Sequence, residues 1–272
     1  MQLAIAGLGL IGGSIALAAR ERLGARVVGW DPDPGAVAAA ERLGVIADGA
    51  GSLASAVAGA DAVLAAAPVG ALPALVAELL AQASEGCVVT DVGSAKGSLC
   101  EAVSDPRFVG GHPLAGAETS GVANARADMF DGAVWYLTPS AASSRAALER
   151  VRELVCGLGA EPVEVGAGEH DRLMATVSHL PHVFANVLVG QLAGLDAAAR
   201  PGPSFRDATR VAGSNSAIWS GIYLENRVAL GAAVDDAIAR LEQVRALLVS
   251  ADSVALARWC EQAAADRARL ER

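Results

Sequence analysis

Residues 7–14 read Gly7-Leu8-Gly9-Leu10-Ile11-Gly12-Gly13-Ser14, directly after the apolar run Gln2–Ala6 and at the head of a helical pattern, Gly12–Leu23. Glycines at this spacing between a strand and a helix have separate jobs. Gly7 allows the tight turn, Gly9 lets a diphosphate approach the backbone, and Gly12 allows close helix–strand packing. The helix then offers free N–H groups at Leu10 and Ile11 to the diphosphate. The next strand, Arg26–Trp30, leads into Asp31, 19 residues after Gly12. A carboxylate there accepts hydrogen bonds from ribose hydroxyls and repels a 2′-phosphate, so the reading is NAD rather than NADP.

Working outward, further strand-like runs are Ala62–Ala66, Cys87–Asp91, Phe108–Gly110, Ala133–Leu137 and Pro162–Val165. Helical patterns lie between them at Gly35–Leu43, Ala71–Ala83 and Ala141–Leu158. Strands separated by helices of this length predict a mainly parallel sheet covered on both faces, a Rossmann-type α/β domain over residues 1–166. Pro68, just past the third strand, joins the cofactor residues. After Gly166 the strand signal stops. Glu169–Leu195, Asn215–Val249 and Ala251–Leu270 read as long helices, interrupted at Pro201, Pro203 and near Gly213. Residues 167–272 are therefore expected to be an all-α domain, rich enough in Ala and Leu to bury a second face in a homodimer.

Composition bounds the function. Hydrophobic residues make up 53% of 272 residues, but 61 are alanine, and charged residues interrupt the longer apolar runs. No membrane span and no signal peptide are expected, because a span needs about 20 apolar residues. Cys87, Cys100, Cys156 and Cys260 are scattered singly, which argues against a disulfide framework or zinc knuckle and for a cytoplasmic protein. The formal charge of −9 disfavours nucleic acid as a partner but leaves room for a small anion in a local basic pocket. Lys96 is the chain's single lysine.

In an open α/β sheet, ligands sit beyond the carboxyl ends of the strands. Two segments leave strands there: Asp91-Val92-Gly93-Ser94-Ala95-Lys96, and the glycine-rich loop Gly110-Gly111-His112-Pro113. Ser94 and His112 are expected to face the reacting end of the cofactor. The other histidines, His170, His179 and His182, fall in one later block. The spacing of three in Ser178-His179-Leu180-Pro181-His182 puts His179 and His182 on one helix face. Carboxylate and cysteine ligands at a fixed spacing are missing, so no metal site is expected. Further on, Phe205-Arg206-Asp207-Ala208-Thr209-Arg210 precedes Trp219, Glu225 and Asn226.

Taken together, GLGLIGGS (7–14), DVGSAKG (91–97), GGHPLAGAETSG (110–121), EHDRLMATVSHLPH (169–182) and FRDATRVAGSNSAIWSGIYLENR (205–227) resemble the prephenate/arogenate dehydrogenase family of tyrosine biosynthesis. The resemblance runs through nearly the whole chain in order. It implies oxidation of a cyclohexadienyl acid by NAD⁺ with loss of the ring carboxylate as CO₂. It also implies His112 as the base for the ring hydroxyl, with Ser94 hydrogen-bonded to hydroxyl and imidazole, and Arg210 on the substrate carboxylate. His182 and His179 would line the cleft, with Glu118 and Trp219 as further substrate contacts; Lys96 receives no role. Prephenate is the expected substrate, with arogenate, or both acids, as the alternative. 3-Hydroxyacid dehydrogenases share the two-domain plan but rely on a lysine in the second domain, and none follows Lys96. A non-catalytic NAD sensor would have no need of His112, Ser94 and Arg210 together.

Overall fold

The structure, a computed structural model, describes residues 1–117, 119–195 and 200–270. The N-terminal half runs β1 (Gln2–Ala6), α1 (Leu10–Leu23), β2 (Arg26–Trp30), α2 (Pro34–Arg42), β3 (Asp48–Gly49), α3 (Leu53–Val57), β4 (Ala62–Ala65) and α4 (Leu72–Gln82). It continues β5 (Val88–Asp91), α5 (Gly97–Ala102), β6 (Phe108–Pro113), β7 (Val134–Thr138), α6 (Arg145–Gly157) and β8 (Glu161–Glu164). The strands form one sheet in the order β3-β2-β1-β4-β5-β6-β7-β8, parallel except between β6 and β7. Both faces are covered, which is why the central strands are apolar at successive positions. Leu3, Ile5, Ile15, Leu64 and Trp135 belong to one core cluster; Ala4, Val63, Leu79, Val89 and Phe108 belong to the other.

Strand order reverses between β1 and β4, and the turn after β1 opens into the crevice this creates. Two features differ from the sequence expectation. The elements β3, α3 and α5 span only 2, 5 and 6 residues, too short to show a period. His112 lies in strand β6 and not in a loop, because Gly110–Pro113 finds an antiparallel partner in β7, with His112 opposite Tyr136. That pairing is tertiary and leaves no local trace in the glycine-rich sequence.

The second half is helical: α7 (Ala167–Met174), a π-helical turn at Ala175–His179, α8 (Leu180–Ala193), α9 (Pro203–Thr209), a 3₁₀ turn at Arg210–Gly213, α10 (Ser216–Glu225), α11 (Arg227–Ser250) and α12 (Ser253–Leu270). Pro181 lacks the N–H that a regular helix would use, and the π turn before it absorbs the mismatch. Within the continuous stretch Ala167–Ala193 an 18-residue window has a mean hydropathy of 1.3, so the helix is long and apolar enough, by length and composition, to cross a membrane. It nevertheless carries His170, Asp171, His179 and His182, all buried in the protein. The single helix expected over Asn215–Val249 breaks at Asn226, whose side chain bonds Asp171 O and His179 instead of facing solvent.

Candidate active site

The turn after β1 is shaped for a diphosphate. Gly7 has φ +107°, and a Cβ there would lie 2.2 Å from Ala66 O; a Cβ on Gly12 would lie 1.9 Å from Gly7 O. Those two glycines are demanded by the protein's own packing. A Cβ on Gly9 would meet nothing within 4 Å, so the space beside it is open to a ligand. Gly9 also caps α1 without any side-chain hydrogen bond, which leaves the first helical amides for an anion. Asp31 accepts the amides of Leu8 (2.8 Å) and Asp33 (2.9 Å), which fix its carboxylate beside a cavity of about 610 Å³ that Trp30 and Val37 help to line. The residues present fit a dinucleotide whose ribose hydroxyls meet a carboxylate. Pro68 follows β4 at the same edge of the sheet and precedes a short 3₁₀ turn.

The chemical centre is a chain of three side chains. His112 Nδ1 is 2.9 Å from His170 Nε2, and His170 Nδ1 is 2.9 Å from Asp171 Oδ1. Asp171 is anchored by two further donors, the amides of Lys96 and Gly97, each at 2.8 Å. Burial pushes its carboxyl up, but the His170 hydrogen bond and those two amides outweigh it and hold the group below the ordinary carboxylate value. An ionised carboxylate only accepts, so His170 must carry its proton on Nδ1. In a neutral His170 ring Nε2 is then a lone pair, which requires a proton on His112 Nδ1. His112 Nε2 is left unprotonated. The order of hydrogen bonds thus presents one basic nitrogen. Burial, and then the neighbouring His170, Lys96 and His179, push the His112 imidazolium well below its ordinary value, so the ring is neutral at physiological pH.

The helical half supplies the opposite wall. His182 stacks face to face on Trp219, with ring centroids 3.7 Å apart, and accepts the Tyr223 hydroxyl on Nδ1. Its proton is therefore on Nε2, a buried atom without a well-formed partner; burial holds the imidazolium below its ordinary value and outweighs the nearby Val211 carbonyl, which favours the charged ring. His179 is 1% exposed, accepts Asn226 Nδ2 at 3.1 Å and stands edge-on to Trp219. Arg210 opens the 3₁₀ turn that packs on α8 beside His182. Ser98 Oγ donates to Glu225 at 2.6 Å and Ile222 enters the core under the sheet, so α10 ties the helical half to the nucleotide half.

Residues 15–164 match the nucleotide-binding domain of prephenate dehydrogenase, and residues 166–262 match its dimerization domain. The chain belongs to the prephenate dehydrogenase family. Prephenate dehydrogenase of Bacillus subtilis (strain 168) is 37% identical over 272 residues, 95% of this chain and 73% of that one. Prephenate dehydrogenase from Aquifex aeolicus, solved in complex with hydroxyphenyl propionate and NAD⁺, is similar with a TM-score of 0.93 and 30% identity, covering 99% of this chain and 98% of the other. Synechocystis arogenate dehydrogenase gives 0.87 at 26% identity, covering 99% of each chain.

Within this prephenate dehydrogenase family member, the structure gathers most residues singled out from sequence. His112, His179, His182 and Trp219 are linked through His170, Asp171 and Asn226. Ser94 lies on the loop after β5, half-buried, but the partner of His112 Nδ1 is His170 and not Ser94. Glu118 lies outside the described residues. The sequence reading passed over His170 as an orienting residue and gave Asp171 no role. The available signal was the adjacent His-Asp pair beginning the helix that carries His179 and His182.

Proposed function

We infer that the chain is an NAD-dependent prephenate dehydrogenase, forming 4-hydroxyphenylpyruvate and CO₂ on the route to tyrosine. The observation that carries this reading is the His112–His170–Asp171 chain at the carboxyl edge of a sheet that also bears a diphosphate cradle. Bound NAD⁺ supplies the hydride acceptor. Gly7, Gly9, Leu10, Ile11 and Gly12 would hold its diphosphate, Asp31 its adenosine ribose, and Pro68 would border it. His112 Nε2 takes the proton of the ring hydroxyl as the carbinol becomes a carbonyl, a contribution of about 10²–10⁴-fold. Asp171, acting through His170, keeps that nitrogen free and stabilises the imidazolium that forms. Ser94 would orient the substrate hydroxyl. Arg210 would hold a substrate carboxylate, while His182 Nε2–H, His179 and Trp219 would line the cleft around the side chain. Glu118 stays a candidate substrate contact.

The test is stoichiometry. Purified protein given prephenate and NAD⁺ is expected to release one CO₂ per NADH; NADH without CO₂ would refute the oxidative decarboxylation. Arg210→Gln is expected to raise KM for prephenate by roughly 10- to 100-fold with a smaller change in kcat, since a charge-assisted pair contributes about 1.5–3 kcal/mol. An unaltered KM would remove Arg210 from carboxylate binding. Gly9→Ala is expected to keep the thermal midpoint and weaken NAD⁺ binding, because the added methyl meets only ligand space. An unchanged Kd for NAD⁺ would place the diphosphate elsewhere.

The same reading divides the chain after residue 166 and makes it a homodimer through its helices. The support is apolar exposure on the helical half: Val228 is 80% and Val249 84% exposed on α11, with Val254 and Trp259 open on α12. A monomeric mass in solution would contradict it. A cytoplasmic location is part of the proposal, supported by four unpaired thiols.

A further inference from the structure

Lys96 is the chain's single lysine, and its side chain is fully buried in an ion pair with the equally buried Asp91. A buried pair is a poor way to stabilise a fold, because the loss of hydration offsets the attraction and apolar side chains of the same volume often do as well. What this pair does is geometric. Asp91 Oδ2 accepts the Gly93 amide at 2.7 Å as well as the ammonium, and Oδ1 accepts the Gly111 amide at 3.0 Å. Gly93 precedes Ser94, and Gly111 precedes His112. Strand β6 crosses close here: a Cβ on Gly111 would lie 2.5 Å from Asp91 O. From its backbone, Lys96 also donates to Asp171 Oδ1, the oxygen that receives His170. One short segment, Asp91–Lys96, therefore holds both ends of the His112 hydrogen-bond chain.

We propose that Lys96, through its buried pair with Asp91, is a positioning residue for the proton-transfer step, fixing β6 and the His170–Asp171 pair to one loop so that His112 meets the substrate hydroxyl in a single place. This rests on the reading of His112 as the base. The groups that face His112 are His170 and Asp171 from α7, His179 from the π turn, Tyr136 from β7, and Lys96 with Asp91 from β5 and its loop. The carboxylates are fully engaged, Asp91 with Lys96 and two amides, Asp171 with His170 and two amides. Lys96 disfavours an imidazolium at His112, in the same direction as burial and the neighbouring His170.

The experiment is the double variant Asp91→Asn/Lys96→Met, which leaves no unpaired buried charge. Calorimetric titration with NAD⁺ reports the fold, steady-state kinetics with prephenate separate kcat from KM, and ¹⁵N-histidine spectra of the free protein follow His112 with pH. Expected are wild-type NAD⁺ affinity, a KM close to wild type, a kcat lower by about 10²-fold, as for an ångström-scale misplacement, and a His112 midpoint moved upward. Wild-type kcat in the NAD⁺-binding variant, or a lower kcat with the His112 midpoint unmoved, would overturn the proposal. If the double variant does not fold, Asp91→Glu keeps the pair but shifts its carboxylate, and the same split of kcat from KM is expected; wild-type kcat there also overturns it. If the wild-type protein turns over no prephenate, the proposed function fails, while the His112 midpoint still decides the role of Lys96.

Discussion

Replacing His112 by Asn is expected to lower kcat with prephenate by about 10²–10⁴-fold while NAD⁺ binding persists. Asparagine keeps a polar side chain of similar reach on β6 and leaves the backbone pairing to Tyr136 intact, so the fold has no reason to fail. It has no nitrogen that can take a proton. The pH profile sharpens the test. Because burial, and then the neighbouring His170, Lys96 and His179, hold His112 well below 6.5, wild-type kcat/KM should stay level through neutrality and fall only at pH values well below that, as the base becomes protonated. The residual activity of His112→Asn should lack this limb. Unchanged turnover would remove His112 from the mechanism.

Asp171→Asn is expected to cost nearly as much, although Asp171 touches neither hydroxyl nor cofactor. An amide can donate as well as accept, so it no longer forces the His170 proton onto Nδ1, and the tautomer of His112 is released. The comparable loss when a serine protease's orienting Asp becomes Asn is about 10⁴-fold in kcat, and a loss of about 10²–10⁴-fold is expected here. KM should change little, because substrate contacts lie elsewhere. Wild-type kcat in a folded Asp171→Asn protein would refute the orienting role. A separate acid effect falls on stability. Burial first, and then His170 and His182, depress His179 to about 4, so the unfolded chain takes up that proton before the folded one does. Stability is thus fully present above pH 6.5 and is lost as pH falls toward about 4; denaturant melts across that window check the sign.

The nucleotide half was legible because its signals are local. Gly7, Gly9 and Gly12 sit within one turn, and Asp31 ends the next strand, so strand, turn and helix identify themselves without tertiary information. The catalytic chain was legible only in part. His112 stood out as a histidine among glycines, but its strand depends on β7, more than 20 residues away, and its partner His170 lies 58 residues on. Asp171 showed only the local signal of a carboxylate beside a histidine; its role comes from receiving Lys96 and Gly97 amides across the domain boundary. The break at Asn226 was invisible for the same reason, since it follows from contacts with Asp171 and His179. Lys96 was conspicuous by its rarity, yet its job required knowing that Asp91 also holds Gly111.

The protonation of His112 can be observed directly. In ¹⁵N-histidine spectra of the free wild-type protein near pH 7.5, assigned by the signal that disappears in His112→Asn, a neutral ring is expected with its proton on Nδ1 and a bare Nε2. A proton on Nε2, or a charged ring at that pH, would contradict the hydrogen-bond order from Asp171 through His170 and take away the base on which the proposed reaction depends.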